Sequence, residues 1–359
     1  LSPHCNRNRT FFTFFSDFKS NGKVAITATE TLVLSLVFVF SLFTNICAIV
    51  ILAKKKRLVT ANCFMMNLFC ADILFISMIP FILVTRWSEV WILGDFVCHM
   101  VFYVICLSAS VTLISLSAVS LERMICIMKL TQAATCNVKV VVGGLFGIWG
   151  FSAMTALPLC LFFNVVNVKI NGSDVQICTL VWPSTSEEIA WDISFVVLNF
   201  MVPGLSIVFS YTKIYKGIEI HIFTFLSWQI TKETRERLIT STAYSETHQL
   251  KVSQRDFKLF RTLLILMVSF FIMWTPVIII ILLLLIQNLY YSFTIPPTLF
   301  LWITVFTFCN SFVNPILYNI NLFRKKWWKI IFFCSFDEST DTDTLSRKNA
   351  TPNISTALE

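Results

Sequence analysis

The sequence predicts an all-α membrane protein, a seven-transmembrane helix bundle with a short amphipathic eighth helix. Three observations carry this. Only 13% of the 359 residues are charged and 56% are hydrophobic, whereas a soluble domain carries about 25% charged residues. Seven apolar stretches are long enough to cross the hydrocarbon of a bilayer, which takes roughly 20 helical residues each. The basic residues also sort to one side of those stretches, as in multi-span proteins.

The chain opens on "LSPHCNRNRT", which is polar and shows no signal-peptide pattern; residues 1–29 read as a tail before the membrane. Spans follow at about 30–53, 62–85, 95–128, 138–161, 191–216, 258–286 and 297–319. The bundle thus covers 30–319, and the third and fifth helices run past the bilayer thickness. The stretch "NLFRKKWWKIIFF" (321–333) alternates basic with aromatic and aliphatic residues, which suits a helix lying flat at the interface. Residues 334–359 form a terminal tail. The side that holds 54–61, 129–137, 217–257 and the C-terminus receives 22 of the 28 Lys and Arg. That side is therefore expected to be cytoplasmic and the N-terminus extracellular, in a multi-pass plasma-membrane protein. The net charge of +8 then reflects this asymmetry and contact with anionic membrane lipids, and no nucleic-acid partner is expected.

Most of the 12 Cys lie inside spans, where Cys behaves as a small apolar residue. Cys98 and Cys178 instead face the outer, oxidising side and can pair; Cys5 is a third outer thiol with no evident partner. Asn8 in "NRT" and Asn171 in "NGS" are glycosylation acceptors on the same side, while Asn349 and Asn353 match the pattern on the cytoplasmic side. No metal-ligand spacing, nucleophile motif or phosphate loop is present, so no enzyme, metal or cofactor is expected. The glycines of "VVGGLFGIWG" (141–150) sit in the fourth span, with spacing that suits helix packing.

Polar residues inside spans are costly and mark function. Here they come in a fixed order: Asn45; Asp72 in "NLFCAD"; Glu122 and Arg123 in "SLERM"; Trp149; Pro203 and Tyr211; Phe270, Trp274 and Pro276 in "FFIMWTP"; and Asn310, Asn314, Pro315 and Tyr318 in "NSFVNPILY". This ordered set, one signature per span, resembles the rhodopsin-like (class A) G-protein-coupled receptors over about 290 residues. The resemblance implies roles. Asp72, Asn45, Thr112, Asn310, Ser311 and Asn314 become candidates for a sodium site, against the plainer reading of a structural polar knot. Glu122, Arg123, Tyr211, Phe270, Trp274, Pro276, Asn314, Pro315 and Tyr318 become the activation and coupling set. Met124 departs from the family's common Tyr, and Glu122 from its Asp, with charge preserved.

The ligand is narrowed by what is missing. Ile105 stands where amine receptors place an Asp, and Phe308 where opsins place the retinal Lys. The outer half of the bundle is instead rich in aromatics, Phe306 among them, and Arg86 arrives in "PFILVTRWSEVW" before the second span has ended. Together these point to an amphiphile with an anionic head and a long apolar tail. Longer stretches, "ICTLVWP", "TAYSETHQLKVSQRDFKLFRTL" and "FTFCNSFVNPILYN" among them, resemble the receptors for long-chain free fatty acids within that family. The resemblance implies long-chain free fatty acids as ligands. It implies as ligand contacts Arg86, Phe14, Phe75, Trp91, Phe102, Trp191, Phe195, Asn199, Trp274, Phe300 and Thr307. It also implies coupling to a heterotrimeric G protein, of Gq type with Gi as the alternative, and to arrestin. Arg86 has two readings: contact with a ligand carboxylate, or a structural pair with Glu30, Glu89 or Asp192. Ser339, Thr340, Thr342, Thr344 and Ser346 in the acidic tail are phosphorylation candidates and Cys334 a palmitoylation candidate. Residues 217–228 are unusually apolar for a cytoplasmic connection and match no family motif. Two alternatives stay open: a class A receptor for another lipid or a peptide, and a transporter or channel, which would need a continuous polar path.

Overall fold

The computed structural model describes residues 11–16, 23–54, 60–128, 138–170, 172–217, 243–290 and 294–317. The chain divides into two units, Leu1–Tyr318 and Asn319–Glu359, and all described residues belong to the first. Asn8, Asn171, Tyr318, the expected amphipathic helix 321–333, Cys334, the five tail hydroxyl residues and 218–228 lie outside the described residues.

Among the described residues seven helices are long and apolar enough to cross a membrane: Val24–Ala53, Asn62–Ser88, Gly94–Ile125, Lys139–Phe162, Thr185–Gly217, Leu264–Leu289 and Pro297–Leu317. These are spans one to seven. Their outward faces are apolar, with Phe40, Phe146, Met154 and Leu205 exposed. Such faces are stable against lipid and would aggregate in water. The inward faces bury Leu68, Phe69, Val111, Phe270 and Phe308, together with polar residues such as Asn45, Asp72 and Asn314.

Local chemistry explains where the helices depart from regularity. Span one begins before residue 30, in a helix that starts at Lys23. Glu30 is buried within it, matched by a partner described below, so its charge does not end the span. Span two is broken at 77–78, between Thr60–Ile76 and Ile79–Ser88. Pro80 has no N–H to return to the Ile76 carbonyl, and its ring crowds that oxygen. The second piece packs on span one and ends on Glu89, held left-handed at φ 60° with its N–H donating to the Thr85 carbonyl at 3.0 Å. Span five starts earlier than expected, at Thr185, because Ser184 caps it by accepting from the Glu187 N–H at 3.3 Å. It widens into a π turn at Val197–Met201, which gives Pro203 room against the carbonyl of Asn199.

Between spans four and five lies an antiparallel hairpin, β1 (Phe163–Ile170) with β2 (Ser173–Leu180), in register from Phe163↔Leu180 to Ile170↔Ser173. Its two-residue turn has the sequence Asn-Gly, with Gly172 at φ +84°, the conformation such turns require. The fold is therefore not purely helical. The Asn-Gly flanked by "FNVVNVKI" and "SDVQICTL" was the sequence signal for it. A disulfide joins Cys178 of β2 to Cys98 of span three, and the Trp91 N–H donates to the Gln176 carbonyl at 2.8 Å. The hairpin is thereby tied to both sides of the second-to-third connection.

The glycine-rich stretch of span four corrects the expectation of tight helix packing. A Cβ added at Gly143, Gly147 or Gly150 would meet nothing within 4 Å, and only Gly144 approaches a neighbour, Phe64. Span four is among the least embedded of the seven, so most of this stretch faces outward. Close approach occurs instead at Gly204 of span five, where a Cβ would stand 2.7 Å from the Phe271 ring of span six.

Candidate functional site

At the hairpin end of the bundle, residues 11–16 fold into a tight turn and drop three aromatic rings between the spans. The turn closes on itself, the Ser16 N–H donating to the Thr13 carbonyl at 2.7 Å and the Thr13 hydroxyl to the Ser16 carbonyl at 2.8 Å. Phe14 sits at φ 40°, a region that costs a non-glycine residue energy and persists where surrounding structure imposes it. Two side chains impose it here: the Thr179 hydroxyl of β2 donates to the Phe12 carbonyl at 2.9 Å, and Arg86 Nη1 donates to the Phe15 carbonyl at 3.0 Å.

The rings then form one cluster. Phe102 of span three stacks on Phe163 with centroids 4.1 Å apart, and Phe14 lies 4.7 Å from Phe102 and 5.3 Å from Phe300 of span seven. Phe15 stacks on Phe102 at 5.4 Å. Beside this cluster is a cavity of about 190 Å³, walled by Phe12, Phe14, Phe102, Trp182, Trp191, Phe195 and Phe300 with aliphatic side chains of span six. Replacing Phe102 with alanine removes the ring at the centre of this cluster, at a cost of about 3–5 kcal/mol for a buried aromatic. We expect the purified variant to melt at a lower temperature than the wild type, read from thermal unfolding in detergent.

Arg86 is paired with Glu30, one of the three acidic partners that charge allowed it. Its Nε and Nη2 each donate at 2.9 Å to the two carboxylate oxygens of Glu30, with both residues buried. Arg86 therefore clasps span one, span two and the 11–16 turn together, and it does not line the cavity.

Of the residues expected to touch a ligand, Phe14, Phe102, Trp191, Phe195 and Phe300 are brought together around the cavity, and Phe75, Trp91, Asn199, Trp274 and Thr307 do not line it. Trp91 is buried at the loop junction, its indole N–H donating to the Gly94 carbonyl at 2.9 Å. Phe75 lies between Phe308, at 4.4 Å, and Trp274, at 5.3 Å. Thr307 donates to the Met273 carbonyl at 3.1 Å, in the turn where Pro276 has no N–H to return to the Ile272 carbonyl. Asn199 joins a relay: the Trp191 indole donates to the Thr155 carbonyl at 2.9 Å, and the Thr155 hydroxyl to Asn199 Oδ1 at 3.1 Å. Phe306 is 40% exposed and faces outward. Phe12, Phe163 and Trp182 join the cavity through the hairpin, its flank and the 11–16 turn, contacts that no helical period foretells; Glu188, Asp192 and Asn288 join it from spans five and six, Asp192 having been expected only as a partner of Arg86.

Deeper in the bundle the polar set assembles. Asn314 donates to Asp72 at 3.0 Å, and Asn45 to the Ser311 carbonyl at 2.7 Å. Thr112, Asn310 and Ser311 are buried. Among the described residues, Oδ1 of Asn45, Asn310 and Asn314 are buried acceptors without a hydrogen-bond partner. Carboxylate and amide oxygens of this kind suit a small hard cation. The Trp149 indole donates to Asn67 at 2.8 Å and Asn67 to Ser115 at 2.9 Å, tying spans two, three and four. Trp274 stacks on Phe270 at 5.5 Å, Tyr211 is buried, and Arg123 Nε lies 3.1 Å from Glu122.

Comparison with known proteins gives the following. The family described as 7 transmembrane receptor (rhodopsin family) matches residues 44–318. Free fatty acid receptor 4 of Mus musculus is 50% identical over 347 residues, 95% of this chain and 92% of the relative. The Rattus norvegicus protein of the same name is 50% identical over 97% of this chain and 94% of its own length. Neuropeptide Y receptor type 2 of Homo sapiens is 27% identical over 76% of this chain and 66% of the relative.

Proposed function

Because this chain belongs to the rhodopsin family of seven-transmembrane receptors, and within it groups with the free fatty acid receptor 4 proteins, we propose that it is a plasma-membrane receptor for medium- to long-chain free fatty acids, polyunsaturated ones included. It is a receptor and not an enzyme, as its relatives are. The observation that carries the ligand reading is the aromatic cavity roofed by residues 11–16. An acyl chain gains about 0.8 kcal/mol per methylene moved out of water, offset in part by ordering and by the competing bilayer. A tail of some sixteen carbons therefore supplies affinity from an apolar wall alone. The hairpin end faces outward in this reading, following the asymmetry of basic residues. The relatives of peptide-receptor name are only 24–27% identical, so the lipid reading is favoured over the peptide one.

Trp191 feels the ligand directly and passes its position through Thr155 of span four to Asn199, in the π turn of its own span five. Trp274 and Phe270 belong to the same helix as hinge Pro276, so repacking there biases span six. Outward movement of that helix opens the cytoplasmic face near Arg123 to a G protein, mainly of Gq type with calcium as readout. The tail hydroxyl residues, once phosphorylated, add about −1.5 to −2 charge each and present an anionic strip to arrestin. The Asp72 cluster would hold a sodium ion through Asp72 and the orphaned asparagine oxygens, an ion that supplies positive charge to an otherwise uncompensated carboxylate.

The test is a calcium response in transfected cells to acids of rising chain length and to the same chains as alcohols. Long-chain acids should act at concentrations where short-chain acids are silent; activation by neither acids nor alcohols would overturn the reading. In the same assay Arg123→Ala should lose most of the calcium signal while still binding a long-chain acid, and full signalling would remove Arg123 from the coupling role.

A further inference from the structure

The aromatic cavity has an acidic wall. Glu188 and Asp192, one helical turn apart at the start of span five, both line it. Asn288 of span six donates to Glu188 Oε1 at 3.0 Å. Asp192 is only 6% exposed, and among the described residues no hydrogen-bond donor or cation meets its carboxyl. Arg86, which charge alone could have matched to it, is held by Glu30. A buried carboxyl facing a cavity without a donor is costly unless something entering the cavity supplies one.

We propose that Asp192, flanked by Glu188, is a subsite for a hydrogen-bond donor carried along the ligand's chain, a hydroxyl in the simplest case. The same wall turns the ligand's carboxylate toward the other end of the cavity. This inference rests on the reading of the ligand as a long-chain acid and deepens it. A hydroxyl suits the site in either protonation state, donating to a carboxylate or also accepting from a carboxylic acid. A bare polymethylene chain displaces water from a space of this size and offers the carboxyl nothing in return. A second carboxylate at this wall would meet two acidic groups, a repulsion strengthened by the surrounding rings, which lower the local dielectric. Sites built to hydrogen-bond a ligand hydroxyl discriminate strongly against the analogue lacking it, because their own polar group is left unpaired.

The experiment is competition binding on the full-length receptor in lipid nanodiscs, with radiolabelled oleic acid as tracer. The competitors are octadecanoic acid and its monohydroxy isomers, the hydroxyl stepped along the chain. On the wild type at least one isomer should bind about tenfold or more better than the parent acid. On Asp192→Leu that ratio should fall below about twofold. On Asp192→Asn it should fall to about threefold, because a neutral acceptor holds the hydroxyl roughly half as strongly in free energy; this variant decides the matter if the leucine form does not reach the membrane. A preference for a hydroxylated isomer that survives either substitution undiminished would overturn the proposal, as would a wild type that favours no isomer over the parent. Those results leave the fatty-acid reading standing if the parent acid competes. Failure of every acid to compete would remove the fatty-acid reading, and this inference with it.

Discussion

Replacing Arg86 with glutamine is expected to strip the receptor from the cell surface and to weaken fatty acids and their uncharged alcohols by similar factors. The reason is the clasp. Glu30 is 1% exposed and receives two hydrogen bonds from Arg86. Removing the arginine leaves a buried carboxylate uncompensated, which costs about 3–5 kcal/mol and also frees the Phe15 carbonyl that anchors the 11–16 turn. Glu30→Gln should reproduce the loss. The double change Arg86→Met with Glu30→Leu should recover expression, since an apolar pair of similar volume replaces a buried ion pair at little cost. Surface staining and paired dose–response curves decide it. A direct contact between Arg86 and the ligand would show differently: the acid alone would fall, by about 10- to 150-fold for a charge-assisted bond of roughly 1.5–3 kcal/mol, with alcohols and Glu30→Gln unaffected.

Loss of the Cys98–Cys178 bridge should be of comparable size. The disulfide closes a loop with a sequence separation of 80, and removing such a bond typically costs 2–5 kcal/mol. The structural consequence is specific. β2 carries Thr179, which holds the Phe12 carbonyl, and β1 begins with Phe163, which stacks on Phe102. An untethered hairpin therefore loosens the roof of the cavity as well as the top of span three. Cys98→Ala, Cys178→Ala and the double variant should lose ligand response to the same degree, because they break one bond. Normal signalling by Cys178→Ala at normal surface level would show that the hydrogen bonds of the hairpin suffice without it.

The seven spans and the ordered polar set were legible from the chain alone, because lipid imposes length and apolarity on each helix separately and penalises each buried polar residue individually. Asp72 with Asn314, and Cys98 with Cys178, were foreseen and are found in contact. The break in span two was open to the same reasoning through Pro80, as was the hairpin through Asn171 and Gly172. Tertiary structure alone decided the rest. Charge gave Arg86 three possible acidic partners, and only the packing of the broken span two on span one selects Glu30, leaving Asp192 facing the cavity. The chain has 36 Phe and 10 Trp, and composition cannot say which of them share a cavity. That depends on a left-handed turn at Phe14 and on a hairpin laid over the bundle, contacts between segments far apart in sequence whose energies exist only once the helices have met.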